Sequence, residues 1–222
     1  MLEKVNEYKY LSLIFNSNGK LNNASQNLVK KGRKAYFGFR SKIQFGNNLS
    51  VKNWLNLYDS IISPIVTYGS EIWISDFDIK LLNNIHVLPF EKAQNMMMKN
   101  ILGVHGKTSN LALHAELGLF PLCFKAFKLM FRYYTRLIQL EENNDSKYDL
   151  LRSAFEEDKQ LFNHNNTSWV KPVFQMKNLF NLPSLDISYS DFLEKNYLNY
   201  TNKIMSQLSH IKNTQLLNYK NT

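Results

Sequence analysis

The chain has 222 residues and a formal net charge of +9, from 27 Lys and Arg against 18 Asp and Glu. With 44% hydrophobic and 14% aromatic residues it is too apolar to be disordered throughout, and its apolar runs are too short to span a membrane. A single cysteine excludes an internal disulfide and a thiolate zinc cluster. Because the first residues contain no apolar signal-peptide core, we expect an intracellular protein, cytoplasmic or nuclear, with no membrane partner.

The first predicted element is a β-strand at Tyr8–Phe15, a run of aromatic and β-branched residues. It ends in a turn signal at 16–19, Asn-Ser-Asn-Gly. A lone strand cannot bury its edges, and no strong second strand follows. We therefore expect its pairing partner to precede Met1, or its exposed edge to seek a protein partner.

Apolar residues at helical spacing predict helices through most of the remaining chain. Gly32 and Gly38 weaken the pattern of the first of them, and Pro64 is expected to kink the second. The expected helices are 22–43, 51–73 after an N-cap at Ser50, 89–102 before a C-cap at Gly103, 110–117 before Gly118, and 122–140 after Pro121. Beyond an acidic segment, the expected tail helices are 149–162, 170–181 and 190–217.

The positive charge is concentrated in two stretches. Positions 20–54 carry eight basic residues and no acid, and positions 92–136 carry seven basic residues against Glu116. Positions 141–158 carry seven acids against two basic residues, which indicates a boundary. The candidate nucleic-acid-binding residues are Lys30, Lys31, Arg33, Lys34, Arg40, Lys42, Lys125, Lys128, Arg132 and Arg136. Tyr36 and Phe37 are expected to add contacts to sugars or bases, the alternative being a solvated basic face over core aromatics.

Sites for other chemistry are missing from the sequence. It has no phosphate-binding loop, no dinucleotide-binding glycine pattern and no metal-ligand pairing of its five histidines. We expect Cys123 to be a buried, inert thiol, and His105 and His114 to have surface or capping roles. Asp76 and Asp78, a close acidic pair, are expected in a turn. The sequence therefore predicts no catalytic residue, no metal site and no cofactor.

Four short motifs follow one another along the chain. They are Tyr10-Leu-Ser-Leu, Tyr68-Gly-Ser-Glu-Ile-Trp73, Ile101-Leu-Gly103 and Glu116-Leu-Gly-Leu-Phe-Pro121. In this order and spacing they resemble the region after the palm in reverse transcriptases of non-LTR (LINE-type) retrotransposons. The resemblance covers roughly Val5 to Leu140.

The resemblance implies a truncated thumb region that lies along RNA, DNA or an RNA–DNA hybrid. Tyr10, Leu11 and Ser12 match its primer-grip hairpin, with Ser12 where the family usually has glycine. The other matches, for which we expect packing roles, are Tyr68, Gly69, Glu71, Trp73, Glu116, Gly118 and Pro121. No Asp-Asp pair occurs in the chain, so polymerase activity is not expected of it alone.

The predicted fold is mainly α, with a short N-terminal β-strand or hairpin, a thumb-like helical bundle and a helical tail. The expected domains are 1–20, 21–140 and 141–222. Two other functional hypotheses stay open at this point. One is a helical protein-interaction module that uses the N-terminal strand, and the other is a retroelement remnant without a function.

Overall fold

The computed structural model describes residues 5–43, 49–77, 85–142, 146–164 and 168–179. The helices are α1 (Asn22–Ile43), α2 (Val51–Leu57), α3 (Ser63–Val66), α4 (Ser70–Trp73), α5 (Pro89–Leu102), α6 (Asn110–Leu117), α7 (Leu122–Glu142), α8 (Asp149–Asn163) and α9 (Val170–Leu179). Together with an N-terminal hairpin they confirm the predicted, mainly helical fold class. Within the described ranges, no helix is long and apolar enough to cross a membrane. The predicted helix at 190–217 falls outside these ranges.

The N-terminal element is a hairpin, so the prediction of one continuous strand is wrong. Strands β1 (Glu7–Tyr10) and β2 (Leu13–Asn16) pair antiparallel, with Tyr10 opposite Leu13. The chain reverses at Leu11 and Ser12, which have φ of +44° and +78°. Positive φ at both central residues is the pattern of a two-residue hairpin turn, which Asn and Gly normally signal. Leu-Ser gives no such signal, and the first strand finds a pairing partner in the second strand of the same hairpin.

Helix α1 packs against β2, α3 and α5. Its buried stripe includes Ala24, Leu28 and Gly32. A Cβ atom at Gly32 would stand 2.4 Å from Val66 Cγ2, which means that glycine lets the backbones of α1 and α3 approach closely. The glycine that weakens the helical pattern in the sequence is therefore required by packing.

The kink expected at Pro64 takes the form of a π-helical turn. Tyr58–Ile62 form this turn, and the Ser63 N–H donates to the Tyr58 carbonyl oxygen five residues back. Because proline has no N–H, the wider turn keeps the chain helical where an ordinary hydrogen bond is lost. Gly69 then separates α3 from α4 with a φ of +63°. Ser50 caps α2 as predicted, since its side chain accepts a hydrogen bond from the Asn53 N–H.

Helices α5 and α7 complete the core. Phe90, Ala93 and Met97 of α5 are fully buried as predicted, whereas Ile101 is only partly buried. The long helix α7 buries one face that includes Phe127 and Phe131. Gly103 and Gly118 end α5 and α6 with positive φ, as the sequence predicts.

Helices α8 and α9 of the predicted tail pack onto α7. Asp158 accepts hydrogen bonds from the Ser168 hydroxyl and from the backbone N–H groups of Trp169 and Val170, each at 2.9 Å. This carboxylate thereby caps the start of α9. Val170 joins the same buried cluster as the rest of the core. One of the acids that mark the predicted boundary thus has a structural role.

We expect the two α1 glycines to respond oppositely to alanine. At Gly38 a Cβ meets nothing within 4 Å, so Gly38→Ala should raise the free energy of unfolding by about 0.5–1 kcal/mol through helix propensity. At Gly32 the new Cβ would collide with buried Val66, so Gly32→Ala should lower it by about 1–3 kcal/mol. Urea unfolding followed by circular dichroism measures both. Equal effects at the two positions would contradict the close approach of α1 and α3.

Candidate nucleic-acid interface

The solvent face of α1 is basic. Lys30, Arg33 and Lys34 are exposed there, opposite the buried stripe. Within the described part of the chain, no salt bridge neutralises these three side chains. The predicted face therefore exists as an uncompensated set of cations, the arrangement that attracts phosphates.

The other predicted α1 residues lie at the edges of that face. Lys42 is exposed, while Lys31 and Arg40 are half-buried. Arg40 stands beside Tyr36, where burial raises the pKa of the phenol and the guanidinium opposes that rise. Arg40 is thus partly engaged by the protein itself.

The two aromatic residues interleaved with the α1 charge differ in position. Tyr36 is 2% exposed, and its hydroxyl donates to the Met97 carbonyl oxygen at 3.3 Å. The expectation that Tyr36 contacts sugars or bases is therefore wrong, because the helical register turns it toward α5. Phe37 is exposed beside Lys30 and Arg33 on the outer side. Of these two aromatic residues, only Phe37 is accessible to a ligand.

Helix α7 carries the second basic stripe. Lys125, Lys128, Arg132 and Arg136 are all exposed, as their spacing of three, four and four predicts. Lys125 is engaged at its tip, where Nζ lies 2.7 Å from the Ser63 hydroxyl and 3.8 Å from Asp59 Oδ1. The stripe therefore begins with a positioned lysine and continues with solvated cations.

The tertiary structure joins the hairpin to both helices. Two adjoining grooves, of about 580 and 620 Å³, share Leu11, Pro64 and Tyr68 as lining residues. Lys31 of α1 lines one groove, and Lys125 of α7 lines the other. We call these two cavities the hairpin groove.

The rim of the hairpin groove is aromatic and accessible. Tyr10 is 56% exposed, Leu11 is 64% exposed and Tyr68 is 44% exposed. These residues belong to two motifs that lie far apart in sequence. The fold brings both motifs to one surface between two lysines, a juxtaposition that spacing along the chain does not reveal.

The hairpin turn is held by α1. The Asn27 side-chain amide donates to the Ser12 carbonyl oxygen at 3.3 Å, and Leu13, the residue after the turn, is buried. Ser12 has positive φ, which is the conformation that glycine adopts most easily. Contacts with α1 therefore stabilise a turn that its own sequence does not favour.

Trp73 and Gly69 of the Tyr68–Trp73 motif have packing roles. Trp73 is 1% exposed, and its indole Nε1–H donates to the Tyr68 carbonyl oxygen at 2.9 Å. A Cβ at Gly69 would stand 2.8 Å from Leu13 Cδ1, so glycine admits β2 at this point. Glu71 contributes its backbone to this packing. Its carbonyl oxygen accepts from the Trp169 indole at 3.0 Å.

Two buried polar residues that the sequence analysis missed fix the start of α7. Glu91 is fully buried, and its Oε1 accepts a hydrogen bond from the Cys123 N–H at 2.6 Å. Gln94 accepts from the Leu122 N–H at 3.3 Å and donates to the Phe120 carbonyl oxygen at 3.1 Å. The signal available in the sequence is a Glu and a Gln three residues apart in the first turns after Pro89. Helix periodicity alone does not tell which partner such residues cap.

The last motif forms the junction of α6 and α7. Gly118 ends α6, Pro121 is buried just before α7, and Glu116 is exposed. His114 is buried, so the surface role predicted as one alternative is wrong and the capping role is left. Its Nδ1–H donates to the Leu119 carbonyl oxygen at 3.1 Å, and burial lowers its pKa.

The described residues contain no group of three or more His, Cys, Asp or Glu placed to hold a metal ion. Cys123 is fully buried as predicted, and burial raises the pKa of its thiol. Asp76 ends a short 3₁₀ helix, and its carboxylate accepts a hydrogen bond from the Leu21 N–H. Asp78 lies outside the described residues.

Comparison with protein-family models, with curated proteins and with solved structures finds no match for this chain.

Proposed function

We propose that this chain binds RNA, DNA or an RNA–DNA hybrid without sequence preference and does not polymerise by itself, as a thumb-like fragment of a LINE-type reverse transcriptase would. The observation that carries the proposal is the hairpin groove. It places the exposed residues Tyr10, Leu11 and Tyr68 between Lys31 of α1 and Lys125 of α7. Lys31 lies at the edge of the α1 basic face, and Lys125 begins the basic stripe of α7.

Binding of this kind works through phosphate neutralisation. Each lysine or arginine that meets a phosphate releases condensed counterions, so the affinity falls as salt rises. The exposed cations of α1 and α7 are suited to this because they face solvent and, apart from Lys125 beside Asp59, form no salt bridge with a described residue. Exposed Phe37 and Tyr68 add ring faces for sugars or unpaired bases.

The direct test is the affinity for a hybrid duplex, measured by fluorescence anisotropy from low to moderate salt. We expect the logarithm of the affinity to fall linearly with the logarithm of the salt concentration, independently of sequence. The absence of binding at low salt, or an affinity that does not change with salt concentration, would contradict the proposal.

We expect a triple substitution on α1, Lys30→Gln, Arg33→Gln and Lys34→Gln, to weaken binding equally for all sequences. The salt slope should fall by about 2–3, close to one for each phosphate contact removed. The matched control carries Lys92→Gln, Lys107→Gln and Lys147→Gln. These three lysines are exposed and do not belong to the hairpin, to α1 or to α7. If the control lowers the slope as much as the triple substitution, net charge rather than a surface governs binding.

One observation favours a second function, protein interaction through the edge of β1. All four residues of β1 are exposed. The Ser17 N–H donates to the Asn6 carbonyl oxygen, so in an antiparallel ladder the backbone groups of Glu7 and Lys9 point away from β2. An extended peptide can add to such an edge.

This second function predicts a mass increase with protein concentration, without nucleic acid. Lys9→Pro should abolish that increase, because it removes an outward N–H and leaves the pairs of Tyr8 and Tyr10 with β2 intact. Multi-angle light scattering measures it. A constant monomeric mass, together with hybrid binding, would leave only the first proposal.

A further inference from the structure

We propose that a cavity at the start of α7 binds a single nucleotide unit, one base with one phosphate. The cavity has a volume of about 390 Å³. Pockets for small ligands typically measure about 300–1,000 Å³. The residues that matter for the proposal are Asp59, Ser63, Phe120, Phe124, Lys125 and Lys128. We call this space the α7 cavity.

The charge of the α7 cavity fits one anionic group. Lys125 Nζ is already balanced by Asp59 Oδ1 at 3.8 Å and donates to the Ser63 hydroxyl at 2.7 Å. Lys128 is exposed and makes no hydrogen bond or salt bridge with any described residue. The remaining positive charge matches a phosphate monoester and disfavours a cation.

The walls of the α7 cavity fit a flat apolar body. Phe120 and Phe124 are half-buried and line it. Bases of every kind stack on such rings, because each base has a π-face. The mixture of aromatic rings and one uncompensated cation therefore favours a nucleotide over a purely apolar ligand.

The cavity is preformed by the core beneath it. Gln94 is 2% exposed and holds the backbone on both sides of Pro121, through the Phe120 carbonyl oxygen and the Leu122 N–H. The opposite wall comes from the π-helical turn, which contains Asp59 and is followed by Ser63. Such turns occur often at functional sites. Little ordering is then required when a ligand binds.

The α7 cavity and the hairpin groove share one residue, Lys125. A strand held in the groove can therefore place an end nucleotide in the cavity, and this strand-borne form rests on the proposed function. A free nucleotide has the same chemistry and does not depend on it.

The first experiment titrates the full chain with AMP, adenosine and inorganic phosphate by isothermal calorimetry. We expect AMP to bind about tenfold more tightly than adenosine, and Lys128→Glu to remove that difference. Lys92→Glu, at an exposed lysine of α5 outside the cavity, should leave AMP binding unchanged. Both variants are expected to fold because both side chains are exposed, and circular dichroism checks this.

The second experiment compares a blunt hybrid duplex with the same duplex carrying one unpaired terminal nucleotide. If the unpaired nucleotide raises the affinity for the duplex and Lys128→Glu abolishes that gain in affinity, the strand-borne form is supported. AMP binding without such a gain identifies a free nucleotide as the ligand. AMP binding in the absence of duplex binding supports the cavity and counts against the proposed function. Duplex binding with neither AMP binding nor a gain overturns the cavity, as does equal affinity for AMP and adenosine.

Discussion

Trp73→Ala is expected to lower the free energy of unfolding by about 3–5 kcal/mol, the range for deleting a large buried aromatic side chain. Trp73 is 1% exposed and packs against Phe77 and Phe90, with ring centroids 5.9 and 5.5 Å away. Its loss leaves a void between α4 and α5 and an unpaired carbonyl at Tyr68. Urea unfolding followed by circular dichroism gives the free energy.

Two further variants separate packing from hydrogen bonding at this site. Trp73→Phe keeps a ring but removes the donor to the Tyr68 carbonyl oxygen, so we expect an intermediate loss of about 1–3 kcal/mol. Tyr68→Ala keeps that carbonyl and removes a side chain that is 44% exposed, so its effect should be about 1 kcal/mol or less. Equal losses for Trp73→Ala and Tyr68→Ala would contradict the structural role assigned to this motif.

Glu91→Gln is expected to change how stability depends on pH. Burial raises the pKa of Glu91 from 4.5 to about 7, against the hydrogen bonds from Cys123 and Leu122 that lower it. Between these two values the folded state holds a proton that the unfolded state has released. The stability contributed by neutral Glu91 is therefore complete below pH 4.5 and is lost as the pH rises through 7.

The measurable quantity is the stability of Glu91→Gln minus that of the wild type. It should rise by about 2–3 kcal/mol from pH 5 to pH 8, because the variant cannot ionise. His86 and His114 act in the opposite direction, since burial lowers their pKa values and their contribution is lost as the pH falls. They are common to both proteins and largely cancel in the difference.

Urea unfolding at pH 5, 6, 7 and 8 tests this prediction. The Gln amide still accepts the hydrogen bond from the Cys123 N–H, so the start of α7 keeps its cap. Tyr58 and Cys123 lie close to Glu91, but burial raises both of their pKa values well above the ordinary ones, so both groups stay neutral in this range. If the difference in stability does not change with pH, Glu91 has the same pKa in the folded and unfolded states and the prediction is wrong.

Several structural features could be predicted from local pattern. Helix α1, the cap at Ser50, the glycines that end α5 and α6, and the exposed stripe on α7 follow from periodicity and capping chemistry. The burial of Cys123 follows from its apolar neighbours. Each of these depends only on residues within a few positions of one another.

The features that were missed depend on distant residues. The hairpin turn at Leu11 and Ser12 lacks turn residues and is held by Asn27 of α1. Tyr36 points inward because α5 offers it the Met97 carbonyl oxygen. Glu91 is buried because it caps a helix that begins 31 positions later, at Leu122.

The sequence by itself determined the helical class, the places where charge accumulates and the absence of an Asp-Asp pair, because these are properties of composition and short spacing. Only the tertiary structure decided which of those charged residues lie near one another. Lys31 and Lys125 are 94 positions apart, and they line two adjoining cavities that share Leu11, Pro64 and Tyr68. This proximity of residues that are distant in sequence depends on long-range packing of side chains, which local periodicity does not encode.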